Sequence, residues 1–322
     1  MAVLDVEGLR TYYKTLRGDV KAVDGVSFRV EKGEATGIAG ESGCGKTTLA
    51  LSILRLLPSG GKIVEGKVVF DGTSLGDLTN EQLRKKVRWK GISLVFQGAM
   101  NAFNPVYKVG EQIVEAIRIH EPDVSKKDAW QRAGDLFELV GIERGRADNY
   151  PHEFSGGMKQ RALIAMALAL NPKMLIADEP GTALDVIVQA QVLKLMRELK
   201  EKLGLSMILI SHDLSILAET CDKMAIMYAG KVVEYGSVYE VFKEPLHPYT
   251  QGLVGAFPRL KGPRTKLSSV PGSPPDLLNP PAGCHFHPRC PFAMDVCKKE
   301  EPPLIQVGSK DHYVACWLYP GK

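Results

Sequence analysis

Apolar and polar residues run along this chain of 322 in two rhythms, and where one gives way to the other marks the elements. Val26–Val30 (VSFRV) alternates with a period of two, as a half-buried strand does. Ala35–Gly40 (ATGIAG) is a short apolar run that enters a glycine-rich turn. Thr47–Leu57 (TTLALSILRLL) then carries apolar residues at helical spacing and stops before Pro58. KVVFDG (67–72) and ISLVFQ (92–97) are further strand candidates. Met174–Pro180 (MLIADEP) and Ser206–Asp213 (SMILISHD) read as short buried strands that end in acids or His. Met224–Gly236 (MAIMYAGKVVEYG) reads as a hairpin turning at Ala229-Gly230. Between about 99 and 170 the pattern is mostly helical, so the sequence predicts an α/β sandwich with an inserted helical subdomain. Past about 240 the pattern changes. VPGSPPDLLNPPAGC (270–284) is too rich in Pro and Gly for any regular element, and 241–322 reads as a separate extension on a 1–240 domain. No internal repeat is seen.

Composition narrows the class. With 44% hydrophobic residues the chain has ample material for a core. Its 41 basic and 37 acidic residues leave a net charge of only +4 with no run of Lys or Arg, so a nucleic-acid partner is not expected. The first ten residues, MAVLDVEGLR, contain acids where a secretory leader has a basic stretch and an apolar core. The longest apolar run, ALIAMALAL (162–170), is far short of the roughly twenty residues that span a bilayer. A cytosolic chain is therefore expected, where disulfides are disfavoured.

Gly40–Thr48 (GESGCGKTT) matches the pattern G-x-x-x-x-G-K-[ST], between a predicted strand and a predicted helix. In such a loop Gly40, Gly43 and Gly45 let the amides of Glu41, Ser42, Cys44 and Thr48 converge on phosphate oxygens. The helix N-terminus adds partial positive charge there. Lys46 reaches the β- and γ-phosphates, and the Thr47 hydroxyl ligates Mg²⁺. In MLIADEP, Asp178 closes an apolar strand and is a candidate Mg²⁺ ligand. Glu179 points the other way and is a candidate general base for an attacking water. Ser155, Gly156 and Gly157 of FSGGM open a helix with a cap and a bare backbone, a second candidate anion site in the same chain. One nucleotide hardly needs two such termini, which suggests two chains set head to tail.

The order of P-loop, Gln97, FSGGM, DEP, TALD (182–185) and His212 of SHD resembles the ATPase subunit of an ABC transporter over about residues 3–240. That resemblance implies an ABC ATPase domain with a P-loop NTPase, RecA-like core, an antiparallel β subdomain and a helical subdomain. It also implies ATP and Mg²⁺ as ligands. By the same resemblance Tyr13, beside Tyr12, stacks on adenine, and Gln97 senses Mg²⁺ and water and touches the membrane subunits. Ser155, Gly156 and Gly157 contact the γ-phosphate held by a partner ATPase. Asp185 crosses the dimer interface, and His212 is the switch His beside the γ-phosphate. Gly181 departs from the Thr or Ser usual before that loop. A soluble ABC protein acting on nucleic acid or ribosomes is the alternative, but such proteins carry two cassettes or a long coiled-coil insertion.

PLHPYTQGLVGAFPRL (245–260) and the cysteine-bearing tail resemble ATPases of oligopeptide and dipeptide importers, and LRTYYKTLRGDVKAVDGVSF resembles the first of the two ATPases in them. This implies a paralogous second ATPase, two transmembrane permease subunits and, indirectly, an extracellular binding protein. It places the chain on the cytoplasmic face of the membrane. Peptides are the default cargo, with di- and oligosaccharides as an alternative. Four of the six cysteines lie in the tail as C-x5-C-x6-C-x18-C, at Cys284, Cys290, Cys297 and Cys316. Spacings this wide suit a [4Fe–4S] cluster better than the close pairs of zinc sites, though zinc stays open. His285, His287 and His312 are alternative ligands or hydrogen-bond donors. Arg289, Lys298 and Lys299 are candidates to offset the cluster's charge. Cys221 reads as a small buried apolar residue.

Overall fold

The computed structural model describes residues 2–98, 102–256, 270–308 and 311–319, and they form two compact units. The first unit takes 1–76 and 211–322, the second 77–210.

The first unit opens with β1 (Ala2–Thr15) and β2 (Gly18–Glu31), followed by β3 (Ala35–Ala39), α1 (Lys46–Ile53), β4 (Gly61–Phe70) and β5 (Thr73–Ser74). Strands β2, β1, β4 and β5 make an antiparallel sheet in that order. Leu4, Val6, Leu9, Val26 and Val30 are wholly buried in it. The alternation at 26–30 thus belongs to a strand much longer than the run that announced it. Helix α1 ends earlier than its apolar spacing suggests. Arg55 turns left-handed at φ 51, its N–H bonds Ser52 O, and the Leu56 N–H bonds Leu51 O, so the last carbonyls are satisfied four residues before Pro58.

In the second unit α2 (Asn80–Gln82) leads into a π-helical turn at Leu83–Val87 and then β6 (Ile92–Val95). Helices α3 (Val109–His120), α4 (Lys126–Leu139) and α5 (Gly156–Ala167) supply the predicted helical segment. They are followed by β7 (Met174–Asp178), α6 (Val186–Leu203) and β8 (Ser206–Ser211). Strands β6, β7 and β8 pair in parallel. Ile176, Ile208 and Phe137 are completely buried, as parallel strands and the helices beside them require.

The chain returns to the first unit with α7 (Leu214–Thr220), β9 (Lys223–Tyr228), β10 (Lys231–Ser237), α8 (Val238–Lys243) and α9 (Pro248–Gly255). Strand β9 runs parallel to β3, and β9–β10 is the hairpin foreseen at Ala229-Gly230, both left-handed at φ 46 and 82. The Pro-rich tail, read as lacking regular elements, adds two short strands. Within the Pro-rich tail, β11 (Ile305–Gln306) and β12 (Tyr313–Val314) pair with each other, and β12 continues the sheet at the edge of β10. The tail therefore shares the first unit's sheet. The importer-like block at 245–260 runs past the described residues after 256. Among the described residues no helix is long and apolar enough to cross a membrane.

Candidate functional site

The phosphate loop forms between β3 and α1, where glycine is obligatory. A Cβ on Gly40 would lie 2.2 Å from Met227 O, and one on Gly45 would lie 2.0 Å from Ala22 O. Both residues are left-handed as well, at φ 151 and 105, with Gly43 at 80. The loop thus wedges between the neighbouring chain segments, and two of the amides expected to face a phosphate are engaged within the protein instead: Glu41 N–H donates to the Tyr249 hydroxyl at 3.0 Å and Cys44 N–H to Glu41 O at 3.3 Å. Lys46 arches back over it, donating to Gly40 O at 2.7 Å and Glu41 O at 3.0 Å. Gly45 O accepts the Leu49 N–H at 2.9 Å as the first bond of α1, so Thr47 and Thr48 lie in the helix's first turn. Burial pushes the Cys44 thiol up, with the Lys46 ammonium opposing it, and Cys44 is an inert packing residue of the loop.

Tyr12 and Tyr13, adjacent on β1, part company. The Tyr12 hydroxyl donates to Asp24 at 2.7 Å. The Tyr13 hydroxyl lies 3.4 Å from that of Thr48, in the first turn after the P-loop. The pair therefore divides as strand alternation demands, and Tyr13 is the one beside the phosphate loop. His212, exposed, sits in the turn between β8 and α7; its neighbour Asp213 caps α7 through Ser215 N–H at 2.9 Å.

The second unit holds the other candidate residues. Gln97 is exposed two positions past β6. Asp178 is buried at the end of β7, and Glu179 leaves the strand in the left-handed region at φ 50. Its N–H donates to Ile210 O at 2.9 Å, and its carboxylate accepts the Thr182 hydroxyl at 3.1 Å. A carboxylate residue held at positive φ is strained backbone, which the surrounding bonds impose. Ser155 caps α5, accepting the Met158 N–H at 3.3 Å, and Gly156 and Gly157 form its first turn. Asp185 caps α6, accepting the Val188 N–H at 2.9 Å. Beside it Val186 and Ile187 are 80% and 72% exposed. Gly181, the departure noted in the sequence, has a local reason: a Cβ there would meet Gln189 Cγ at 2.5 Å.

In the tail the four thiols lie within electrostatic reach of one another. Burial raises Cys284 to about 11; the nearby Phe286 N–H opposes this, and Cys297, Cys316 and Cys290 add to it. Burial likewise raises Cys290 and Cys316, opposed by the N–H groups of Phe292 and Leu318. Yet among the described residues no group of three or more His, Cys, Asp or Glu is arranged to hold a metal ion. Each of the three histidines gives a ring nitrogen to the protein: His285 to Ala229 O at 2.9 Å, His287 to Cys284 O at 2.9 Å, His312 to Glu234 at 2.8 Å. Arg289 corrects the sequence reading. Its guanidinium is paired with Glu41 of the P-loop, and Lys298 is paired with Asp295.

Comparison with known proteins meets this geometry from outside. Residues 23–182 match the family model of the ABC transporter, and 233–297 match that of the oligopeptide/dipeptide transporter, C-terminal region. The chain is 48% identical to the probable peptide ABC transporter ATP-binding protein y4tR of Sinorhizobium fredii, over 98% of this chain and 94% of that one. The chain belongs to the ABC transporter ATP-binding proteins. Its identity to the oligopeptide transport ATP-binding protein OppD of Bacillus subtilis is 47%, covering 98% of this chain and 88% of OppD. The fold also matches the solved dimeric structure of MJ0796, a bacterial ABC transporter cassette. The TM-score is 0.65 at 28% identity, over 73% of this chain and 98% of that one. As a member of this family the chain is an ABC-type ATPase, and the matched span 23–182 contains the glycine-rich loop of Gly40, Gly45 and Lys46.

Proposed function

We propose that this ABC ATPase powers the uptake of oligopeptides or dipeptides from the cytoplasmic face of a membrane importer. The observation that carries the reading is that one chain matches both the cassette and the oligopeptide/dipeptide C-terminal region, with relatives named for peptide transport aligned along nearly all of it. Those names favour a peptide over the sugar cargo that the sequence left open. In the working assembly a second ATPase, two permease subunits and, outside the membrane, a binding protein complete the transporter.

The family resemblance assigns the work. Lys46 and the P-loop amides, apart from those of Glu41 and Cys44 that bond the protein, hold the triphosphate, and Tyr13 lies against adenine. By the resemblance Thr47 would ligate Mg²⁺, Asp178 is the family's carboxylate for the same ion, and Gln97 is its residue for sensing the ion and water. Glu179 takes a proton from that water, and its left-handed, bond-restrained backbone supports a fixed aim for this task. His212 donates a ring N–H toward the charge that develops on the γ-phosphate. Ser155, Gly156 and Gly157 would meet the nucleotide of the partner ATPase, and Asp185 would cross to it. Exposed Val186 and Ile187 support an interface there, because apolar side chains beside a loop that meets a partner gain from being covered.

The [4Fe–4S] reading of the tail rests on donor chemistry. The spacing of Cys284, Cys290, Cys297 and Cys316 and the affinity of thiolates for iron support it, while among the described residues the four are not arranged as a preformed metal site. Bound there, a cluster would supply a structural crosslink.

The transport reading is tested in liposomes carrying permease subunits, both ATPases and the binding protein. Peptide on the binding protein should stimulate ATP hydrolysis and uptake. Glu179→Gln should bind ATP yet hydrolyse it about 10²–10⁴-fold more slowly. Stimulation by oligosaccharides and not by peptides would overturn the cargo, and near-normal turnover in Glu179→Gln would remove its role as base.

A further inference from the structure

Glu41, the second residue of the P-loop, is gripped by residues that follow it by 208 and 248 positions. Arg289 in the cysteine-bearing tail donates from Nη1 to Glu41 Oε2 at 2.7 Å and from Nη2 to Oε1 at 2.9 Å. This two-pronged ion pair is among the stronger contacts a protein makes, and a lysine cannot reproduce it. The guanidinium is itself held. Its Nε donates to Pro271 O at 2.7 Å, Nη2 reaches Gly272 O at 3.3 Å, and its carbon lies 5.6 Å from the centre of the Tyr228 ring. Arg289 is 6% exposed, so the pair is shielded from salt and water on that side. From α9, the Tyr249 hydroxyl accepts the Glu41 backbone N–H at 3.0 Å.

What Glu41 carries makes the grip matter. Its carbonyl accepts both Lys46 Nζ at 3.0 Å and the Cys44 N–H at 3.3 Å. Fixing Glu41 therefore fixes the arch on which the phosphate-binding lysine rests. Glu41 is also an acid inside a loop that receives a highly negative triphosphate. Arg289 cancels its charge, and without that partner the carboxylate would repel the ligand.

We propose that Arg289 is a positioning residue for the P-loop, by which the C-terminal tail sets the affinity for ATP through Glu41. The inference rests on the loop being the triphosphate site. It is tested on the full chain by titrating a fluorescent ATP analogue and by measuring turnover across ATP concentration. Arg289→Gln should weaken binding and raise the KM for ATP about tenfold, with kcat at saturation within about twofold of wild type. Arg289→Lys, the milder variant, should fall between them, because it keeps the charge and loses the fork. Adding Glu41→Gln to Arg289→Gln should recover most of the lost affinity, because the unpaired carboxylate is then gone. A fold staple would not give that rescue. Unchanged affinity in Arg289→Gln and Arg289→Lys would overturn the proposal, and so would a double variant as weak as the single. Lys46→Ala separates the two levels: retained binding in that variant would sink the site reading itself, whereas lost binding there with wild-type affinity in Arg289→Gln would sink this inference alone.

Discussion

Glu234 on β10 is the most consequential buried charge in the first unit, and its removal has a size that the geometry predicts. Its side chain has no exposure at all. One oxygen accepts the Leu246 N–H at 2.9 Å and lies 2.8 Å from His312 Nε2; the other accepts the His247 N–H at 2.8 Å. The carboxylate thus ties β10, the start of α9 and the tail at one point. Glu234→Ala strands the buried His247 N–H, the half-buried Leu246 N–H and the buried His312 Nε2, and at about 1–3 kcal/mol for each buried group the loss is about 4 kcal/mol. Glu234→Gln keeps one acceptor oxygen. Whichever way the amide is turned, its NH₂ faces a backbone N–H, so one donor is stranded and the loss is about 2 kcal/mol. At about 2–4 °C per kcal/mol, the melting temperature should fall by about 8–16 °C for Ala and about half as much for Gln. Thermal unfolding followed by circular dichroism reads both. An Ala variant melting within about 2 °C of wild type, or equal shifts for Ala and Gln, would refute the reasoning.

Two further outcomes follow from the tail and its anchor. Protein purified without oxygen should be brown and carry about four irons per chain, and Ser in place of any of the four tail cysteines should lower the iron; a colourless, iron-free preparation would remove the cluster. Burial pushes His247 down to about 3, so the unfolded chain binds a proton that the folded chain refuses at any pH between that value and about 6.5. Stability should therefore fall as pH drops below about 6.5, by up to about 1.4 kcal/mol per unit from this group. His247→Asn, which keeps an acceptor for the Tyr249 N–H, should flatten that slope in urea unfolding followed across pH; an unchanged slope would clear His247.

How much of this was legible in the sequence depends on the reach of the interaction that decides each feature. The P-loop, the hairpin and the helix cap at Ser155 are decided within a few residues, and there the pattern of glycines and a hydroxyl side chain sufficed. The early end of α1 was also local, but its stop signal is Arg55 in a left-handed conformation usually left to glycine, which no residue type announces. Gly181 looked like a blemish until Gln189 was seen to occupy the space beside it. Tyr12 and Tyr13 could not be told apart as a pair of letters; the strand's two faces separate them. The partners of Arg289 and Glu234 are separated by up to 248 positions, and no periodicity carries that information.

The same long-range contacts change the physical reason for an ordered tail. Read as a sequence, a Pro-rich segment without a core gives a metal staple a sufficient structural reason. In the structure it has anchors of its own. Phe286 packs edge-on against Tyr228 with ring centres 5.1 Å apart and lies 5.4 Å from Tyr249, both of them fully buried. Strand β12 pairs with β10, and His312 meets Glu234 beside it. These contacts suffice to seat the tail on the sheet, so a crosslink among the cysteines is not required for that. A cluster on the four cysteines would instead tie the stretch from Cys284 to Cys297, where Arg289 resides, to Cys316 just past β12. Any order it adds there is order added to the residue that grips the phosphate loop.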